Sequence, residues 1–497
     1  MFHYIELTKV WSLLEYDKFN PLYFSSSLFL FLFLGLLFAI TVFSNSRARV
    51  YILLLFSAFF FYKNSGTALY VLVLSSLLNF GVGYVLHNAK AEGMRKLYLW
   101  IGIILNLAAL GYYKYTNFFL RTVADFQGKE FEALDILVPL GISFFTFKAL
   151  SYLFDIYYET YTPTRNFADF LLYMAYFGNI SAGPIDRAPA FIEQARNYSV
   201  TREDISRGVF LIILGLIKKN VIADYIGLNY VDRIFDDPLR YTGVENLIGI
   251  YGYALQIYCD FSGYTDMALG VSLLLGFKLM ENFNYPYKAK SVAEFWRRWH
   301  MSLSAWLLEY LFTPLQMGMR NMRMLGNALA LLITFILCGL WHGPSWNFVI
   351  WGGLHGLFMV VGIVTNKPRT AIIKKLNLTN SKFLGFFRIL FTFHLVAFAW
   401  VFFRAHDLKI IADMYSQMVN FFKPGVFPQF LQSYQMISVL IGIGYLLHFM
   451  PEKLSAAAYK VVGKAPLIVQ AFLLAFAIWF SWQFMAADIQ PFIYFQF

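Results

Sequence analysis

The chain reads as an all-α polytopic membrane protein, and two properties carry that reading. Of its 497 residues, 59% are hydrophobic and the mean hydropathy is +0.57, more apolar surface than a water-soluble core can bury. Apolar runs of spanning length also recur from end to end, while polar stretches are short and fall between them. The pattern predicts roughly eleven to thirteen transmembrane helices, some of them short, broken or re-entrant.

The first run, Ser25–Ser44, has no basic region immediately before it and no small-residue cleavage pattern after it. It therefore reads as a retained helix and not a signal peptide. Val50–Phe61, Ala68–Val85 and Leu97–Tyr113 follow, set off by polar loops such as SNSRAR and NAKAEGMRK. Ile136–Tyr157 and Phe167–Ile180 are aromatic-rich runs divided by the polar ETYTPTRN. Val209–Ala223, Val244–Cys259 and Met267–Phe277 occupy the middle, the last two separated by the polar DFSGYTD. Asn327–Leu340 and Phe348–Val364 flank the Gly-Pro of WHGPSW, a pair that breaks a helix. Phe386–Phe402, Ile437–Phe449 and Leu467–Phe480 complete the set.

The formal charge of +11 comes from Lys and Arg dispersed through short loops. On a polytopic chain that pattern records topology and contact with anionic membrane lipid, and it does not indicate nucleic acid. The basic loops do not alternate cleanly between consecutive spans, so the termini stay unassigned. Cys259 and Cys338 are the only cysteines. They exclude a disulfide framework and a thiolate zinc site, and read as helix-packing residues. With no repeat, low-complexity tract or long soluble segment, residues 1–497 read as a single membrane domain.

Chemistry is sought where a membrane interior holds polar groups. In EFWRRWHMSLSAW the residues Phe295, Trp299, Leu303, Trp306 and Tyr310 recur at helical spacing, with charge from Glu294, Arg297, Arg298 and Glu309. This predicts an amphipathic or re-entrant helix at the membrane boundary. On such a helix Trp296, His300 and Ser304 share a face, where hydroxyl and indole N–H groups steer the imidazole tautomer. An interfacial aromatic belt, with arginines on lipid phosphate, accounts for the same residues equally well.

His342 is the sharper candidate. The apolar run NALALLITFILCGL leads straight into it and Gly-Pro follows, placing an imidazole at a helix break inside the membrane. A histidine that only caps carbonyls is the plainer alternative. His355 lies in IWGGLHGLF, where two glycines allow close helix packing. His3, His87, His394, His406 and His448 lie near span ends or in loops and receive no chemistry. In QIYCDFSGYTDMALG, Asp260 and Asp266 need partners. Arg297 or Arg298 is the expected one, with helix-end capping of backbone N–H groups as the alternative. In SAGPIDR, Asp186 and Arg187 follow a Gly-Pro break and read as a loop near the bilayer surface, or an ordinary charged turn.

Five strings occur in order: PLGISFFTFKALSYLFDIYY, SAGPIDR, DFSGYTDMALG, NFNYPYKAKSVAEFWRRWHMSLSAWL and LWHGPSWNFVIWGGLHG. Together they resemble the membrane-bound O-acyltransferase family, in its branch of alginate O-acetyltransferases, over roughly Leu137 to Leu357 (core region 137–357). The resemblance implies a multi-helix membrane fold, with re-entrant helices around a central tunnel in which a cytoplasmic acyl donor meets an acceptor on the far side. It places a catalytic histidine at His342 and a tunnel histidine at His300. It further implies the bacterial cytoplasmic (inner) membrane, acetyl-CoA or another acyl thioester as donor, no bound cofactor or metal, and a separate periplasmic or extracytoplasmic transferase as partner. The downstream acceptor would be a polysaccharide. Related chains commonly read WLRDYLYIPLGGNR where this one has WLLEYLFTPLQMGMRNMR, so an Arg-Asp pair is replaced by Leu308-Glu309 and a Gly-Gly pair is absent. SAGPIDR also resembles the D-alanyl transferases that decorate teichoic acids. The aromatic tail QPFIYFQF, residues 491–497, resembles a terminal motif of acyl-export systems. That resemblance offers Tyr494 as a transient acyl relay, while an aromatic-belt anchor explains the tail equally.

Acyl-transfer chemistry assigns roles within this picture. A hydroxyl is a poor nucleophile at neutral pH, so a neutral imidazole, here His342, takes its proton as it attacks the thioester. His300, with the Trp296 and Trp299 indoles and Ser304, would orient the donor or stabilise oxyanion charge. Arg297 and Arg298 suit coenzyme A phosphates. Asp260 and Asp266 would shape a polar tunnel. A transporter or flippase of an acylated or anionic molecule shares the need for broken helices and intramembrane histidines but cleaves no thioester. A haem or metal protein using His300, His342 and His355 lacks compact ligand spacing.

Overall fold

A computed structural model describes residues 12–43, 45–484 and 492. Tyr494, His3 and the tail apart from Phe492 lie outside the described residues. No strand occurs among the described residues. Among the described residues, five helical stretches are long and apolar enough to cross a membrane: Ser46–Asn88, Glu92–Phe126, Arg320–His342, Trp346–Val364 and Lys382–Arg404. The count rises to seven if each bent pair, Pro424–Ser433 with Gln435–Phe449 and Glu452–Lys464 with Leu467–Trp482, is one span. The sequence suggested eleven to thirteen. The difference has two sources: some runs fold as shorter helices, such as Ser27–Val42, Ile142–Tyr157 and Phe167–Ala175, and others are joined, as where Ser46–Asn88 holds both Ser46–Ser65 and Leu69–Asn88.

The helices cluster into two compact units. The first comprises Met1–Gly208 and Ala268–Met280. Its centre is the helix Ile142–Tyr157, buried on nearly every side. Gly141 starts this helix at φ +64°, and a side chain there would place Cβ 1.8 Å from the Ile180 carbonyl oxygen. Only glycine fits that turn, which explains the PLGIS of the sequence. Lys148, from the same helix, is buried and donates to the Tyr173 carbonyl (2.6 Å) and to Asn179 Oδ1 (2.7 Å). Asn179 Nδ2 in turn donates to Asp186 Oδ2 at 3.0 Å, and the Met280 N–H donates to Asp186 Oδ1 at 3.0 Å. SAGPIDR is therefore a loop, as expected, but a buried one: Asp186 is 6% exposed. Burial raises its carboxyl above the usual range, against the pull of these hydrogen bonds and the nearby cations.

The second unit comprises Val209–Met267 and Glu281–Phe497. The two spans expected at Val244–Cys259 and Met267–Phe277 are joined in one continuous helix, Gly243–Leu274. The polar DFSGYTD does not interrupt it, so Asp260 and Asp266 are mid-helix and the capping alternative fails. Opposite them the chain runs through a π turn at Ile217–Ala223. Backbones approach closely here: a Cβ on Gly215 would lie 2.6 Å from the Gly263 carbonyl oxygen.

Arg323–His342 and Trp346–Val364 form a hairpin across Gly343-Pro344-Ser345. Glycines hold its arms together, since a Cβ on Gly339 would lie 2.1 Å from the Phe348 carbonyl oxygen and one on Gly352 lies 2.2 Å from that of Phe335. Small residues at such crossings bring helix backbones together in lipid. Gly353, one position along, has nothing within 4 Å of its Cβ site. Gly352→Ala is therefore expected to destabilise the protein by about 1–3 kcal/mol through overpacking. Gly353→Ala serves as the neutral control in thermal unfolding of detergent-solubilised protein; equal melting of the two variants would contradict this packing.

Candidate functional site

Every contact of the site described here lies within the second unit. His342 is the last residue of its helix, with Gly343 as C-cap, and is 3% exposed. Its ring is walled by Trp341 (centroids 4.8 Å apart), Trp351 (5.0 Å, at 90°) and Phe403 (5.3 Å). The helix break read from Gly-Pro is thus present, and it delivers the imidazole into an aromatic box.

His300 reaches the same neighbourhood by a different device. The single helix expected from the spacing of Phe295, Trp299, Leu303, Trp306 and Tyr310 is two short ones, Val292–Trp296 and Met301–Leu307. His300 sits between them in the left-handed conformation, φ +45° and ψ +53°, which costs a non-glycine residue about 1–2 kcal/mol. Asn282 holds the break in place. Its carbonyl accepts from the Met301 N–H (2.9 Å), and its Oδ1 accepts from Ser302 N (3.2 Å) and Ser302 Oγ (2.6 Å). The Asn284 N–H adds a bond to the Arg298 carbonyl at 2.9 Å. The His300 ring is fully buried, 4.8 Å from Phe261 and 6.1 Å from Trp341 between centroids. Burial pushes its imidazole down to about 3, so it is neutral at neutral pH and offers one donor and one acceptor. Both histidines therefore contact one indole, that of Trp341.

The break separates residues that a continuous helix would have aligned. Trp296 Nε1 donates to His355 Nδ1 at 3.1 Å, not toward His300. Ser304 Oγ donates back to the Trp299 carbonyl at 3.2 Å. Trp299 stays close, packed on Phe261, Phe283 and Trp400. Arg298 is bound to Glu294 (3.0 Å) and to the Asn284 carbonyl (3.1 Å), and Arg297 is exposed.

Neither arginine is the ion partner of the aspartates. Asp266 pairs with Lys218 at 2.7 Å, and Asp260 pairs with Lys219 at 2.8 Å, which also reaches Asp224 at 2.6 Å. The arginines were expected because they lie in the neighbouring motif. The lysines carried their own signal, two consecutive ammonium groups inside the apolar run VFLIILGLIKKNVIA, which marks an intramembrane site by default. Asn282, Trp351 and Phe403 gave no such signal, since their roles depend on tertiary contact. Phe261, next to Asp260, packs on His300 and also on Phe492 at 5.5 Å, and Phe492 stacks on Tyr264 at 4.7 Å. Cys259 and Cys338 are buried and free, as packing residues should be. Among the described residues no group of three or more His, Cys, Asp or Glu side chains is placed to hold a metal ion.

The sequence itself is similar to those of known proteins. The family model described as MBOAT, membrane-bound O-acyltransferase family, matches residues 58–405. A Pseudomonas putida protein named "Probable alginate O-acetylase AlgI" is 36% identical over 412 residues, covering 80% of each chain. A Helicobacter pylori peptidoglycan O-acetyltransferase is 33% identical over 432 residues, again 80% of each. A Bacillus subtilis teichoic acid D-alanyltransferase is 30% identical over 275 residues, 53% of this chain and 68% of its own.

The ion pairs can be tested apart from activity. Lys218→Met leaves Asp266 with an uncompensated buried charge and is expected to cost about 3–5 kcal/mol of stability. Adding Asp266→Leu should recover most of that loss in the same unfolding assay. A single variant as stable as wild type would show that the pair contributes nothing.

Proposed function

The chain belongs to the membrane-bound O-acyltransferase family, and we propose that it takes an acyl group, acetyl by preference, from a cytoplasmic thioester and passes it across the membrane to O-acetylate an extracytoplasmic polysaccharide. It is a multi-pass membrane protein, for which the bacterial inner membrane is the proposed location. The observation that carries the reading is the pair of buried histidines in contact with one indole, Trp341, one histidine at a helix break and the other in a left-handed turn.

In this reading the neutral His342 imidazole removes the proton from the attacking hydroxyl as its oxygen adds to the thioester carbonyl. The tetrahedral intermediate then collapses, the carbon–sulfur bond breaks, and the coenzyme A thiolate takes the proton back from the imidazolium. His300 donates toward the developing oxyanion, a contribution whose loss costs about a hundredfold or more in rate. The Trp299 indole N–H is buried and has no partner among the described residues, so it is available for the same task. Arg297, exposed beside the turn, is the better placed of the two arginines for donor phosphates, because Arg298 is already engaged.

Tyr494 is proposed as the acyl relay that hands the group to a separate extracytoplasmic transferase. Support comes from Phe492, two residues earlier, which is 1% exposed against Phe261 and Tyr264, and Phe261 is the residue that touches His300. The relatives' names cover alginate, peptidoglycan and teichoic acid, so the acceptor class proposed here is a cell-surface glycan and no finer.

The test is release of free thiol from acetyl-CoA by the protein in lipid, with and without membranes supplying acceptor and partner. His342→Ala should abolish release while leaving the protein folded, and His300→Ala should reduce it about a hundredfold. Undiminished release by His342→Ala would remove it as the base. A wild-type protein that moves acylated substrate across the bilayer without releasing thiol would instead establish a transporter. Tyr494→Phe should block delivery to the acceptor; unchanged delivery would make the tail an anchor.

A further inference from the structure

His355 takes no part in the chemistry proposed above, yet it is fully buried and holds a side-chain hydrogen bond that joins two elements of the site. The bond runs from Trp296 Nε1–H to His355 Nδ1 at 3.1 Å. An imidazole that accepts at Nδ1 carries its proton at Nε2, so this contact fixes the tautomer.

The geometry around Trp296 explains why the bond matters. The indole is wedged into the hairpin that bears His342, against Phe335 of the first arm (5.1 Å between centroids) and Trp351 and His355 of the second (5.8 and 5.3 Å). Trp296 is also the last residue of the short helix before the His300 turn. Its one polar atom sits in an apolar cleft, where an unmade hydrogen bond is unfavourable, and the His355 ring nitrogen supplies the acceptor. On its other side His355 packs against Trp351 at 4.9 Å, and Trp351 is the wall that meets His342 at 90°.

We propose that His355 is a positioning residue for acyl transfer: through Trp296 it fixes the His300 turn, and through Trp351 it fixes the His342 ring, so that the two imidazoles keep one spacing. The proposal rests on the acyl-transfer reading. It explains why IWGGLHG carries an imidazole where close packing alone asks only for small residues. Gly352, one turn earlier, supplies the close packing, and His355 supplies the polar registration.

Three variants separate registration from bulk. His355→Asn keeps an acceptor near the Nδ1 position, His355→Phe keeps an aromatic ring and removes the acceptor, and Trp296→Phe removes the donor. His355→Phe is expected to lower kcat about tenfold or more with KM unchanged, since misplacement of reacting groups by an ångström costs that much. His355→Asn should restore most of it. The double variant His355→Phe with Trp296→Phe should be no slower than the slower single one, because both lose the same bond. The indole N–H Raman difference spectrum against wild type, measured without substrate, should show one of the eleven indoles losing its bond in His355→Phe, and that difference should be absent in His355→Asn. Wild-type kcat in His355→Phe, equal loss in the Asn and Phe variants, or additive losses in the double variant would each overturn the proposal. Absence of His342-dependent thiol release from the wild type would instead remove the acyl-transfer reading, while the Raman band would still report whether the bond exists.

Discussion

Lys218 and Lys219 bring two adjacent ammonium groups into an apolar interior, where a charge persists only beside its counter-charge. The carboxylates of Asp266, Asp260 and Asp224 meet that demand at 2.6 to 2.8 Å. Satisfying it fixes the rotation and register of the long helix Gly243–Leu274, because a charged pair cannot slide by a residue without leaving one member unpaired. Phe261 follows Asp260 on that helix, so the ring that covers His300 and receives Phe492 is placed by the same restraint. Gly215 and Gly263 bring the two backbones close enough for the short pairs to form.

A second restraint acts on the other side of the site. The glycine-packed hairpin leaves no room between its arms, and His342 stands where the first arm ends. His300 meets it from a turn that the backbone would not choose unaided, held by the three bonds that Asn282 accepts. Both imidazoles are thus carried by segments with little freedom. That suits a reaction in which a proton and an acyl group move between partners held at fixed distance.

Much of this was legible in the sequence, and the illegible parts share a cause. The membrane class followed from hydropathy, and the helix end at His342 followed from Gly-Pro after an apolar run, because both signals are local. The left-handed turn at His300 was hidden, since aromatic residues continue at helical spacing through it and the clamp comes from Asn282, distant in sequence. The aspartates announce themselves by their setting, but sequence proximity points to the arginines, whereas the lysines face them across a helix pair. The continuity of Gly243–Leu274 is hidden for a related reason. Asp, Ser and Thr in an apolar run suggest an interruption until ion pairing and neighbouring helices satisfy them.

The π turn at Ile217–Ala223 has a consequence for how this segment can change over time. Such a turn is a helix that has gained one residue beyond its regular count, with the surplus accommodated locally. Losing one residue there would restore an ordinary helix with all its backbone bonds, a change that looks harmless by propensity. It would also shift the residues of the turn itself by one position, about 100° around the helix axis, taking at least one of the lysine pair away from its carboxylates. The segment is therefore expected to tolerate substitution better than any change of length, and gaps between related sequences should avoid it.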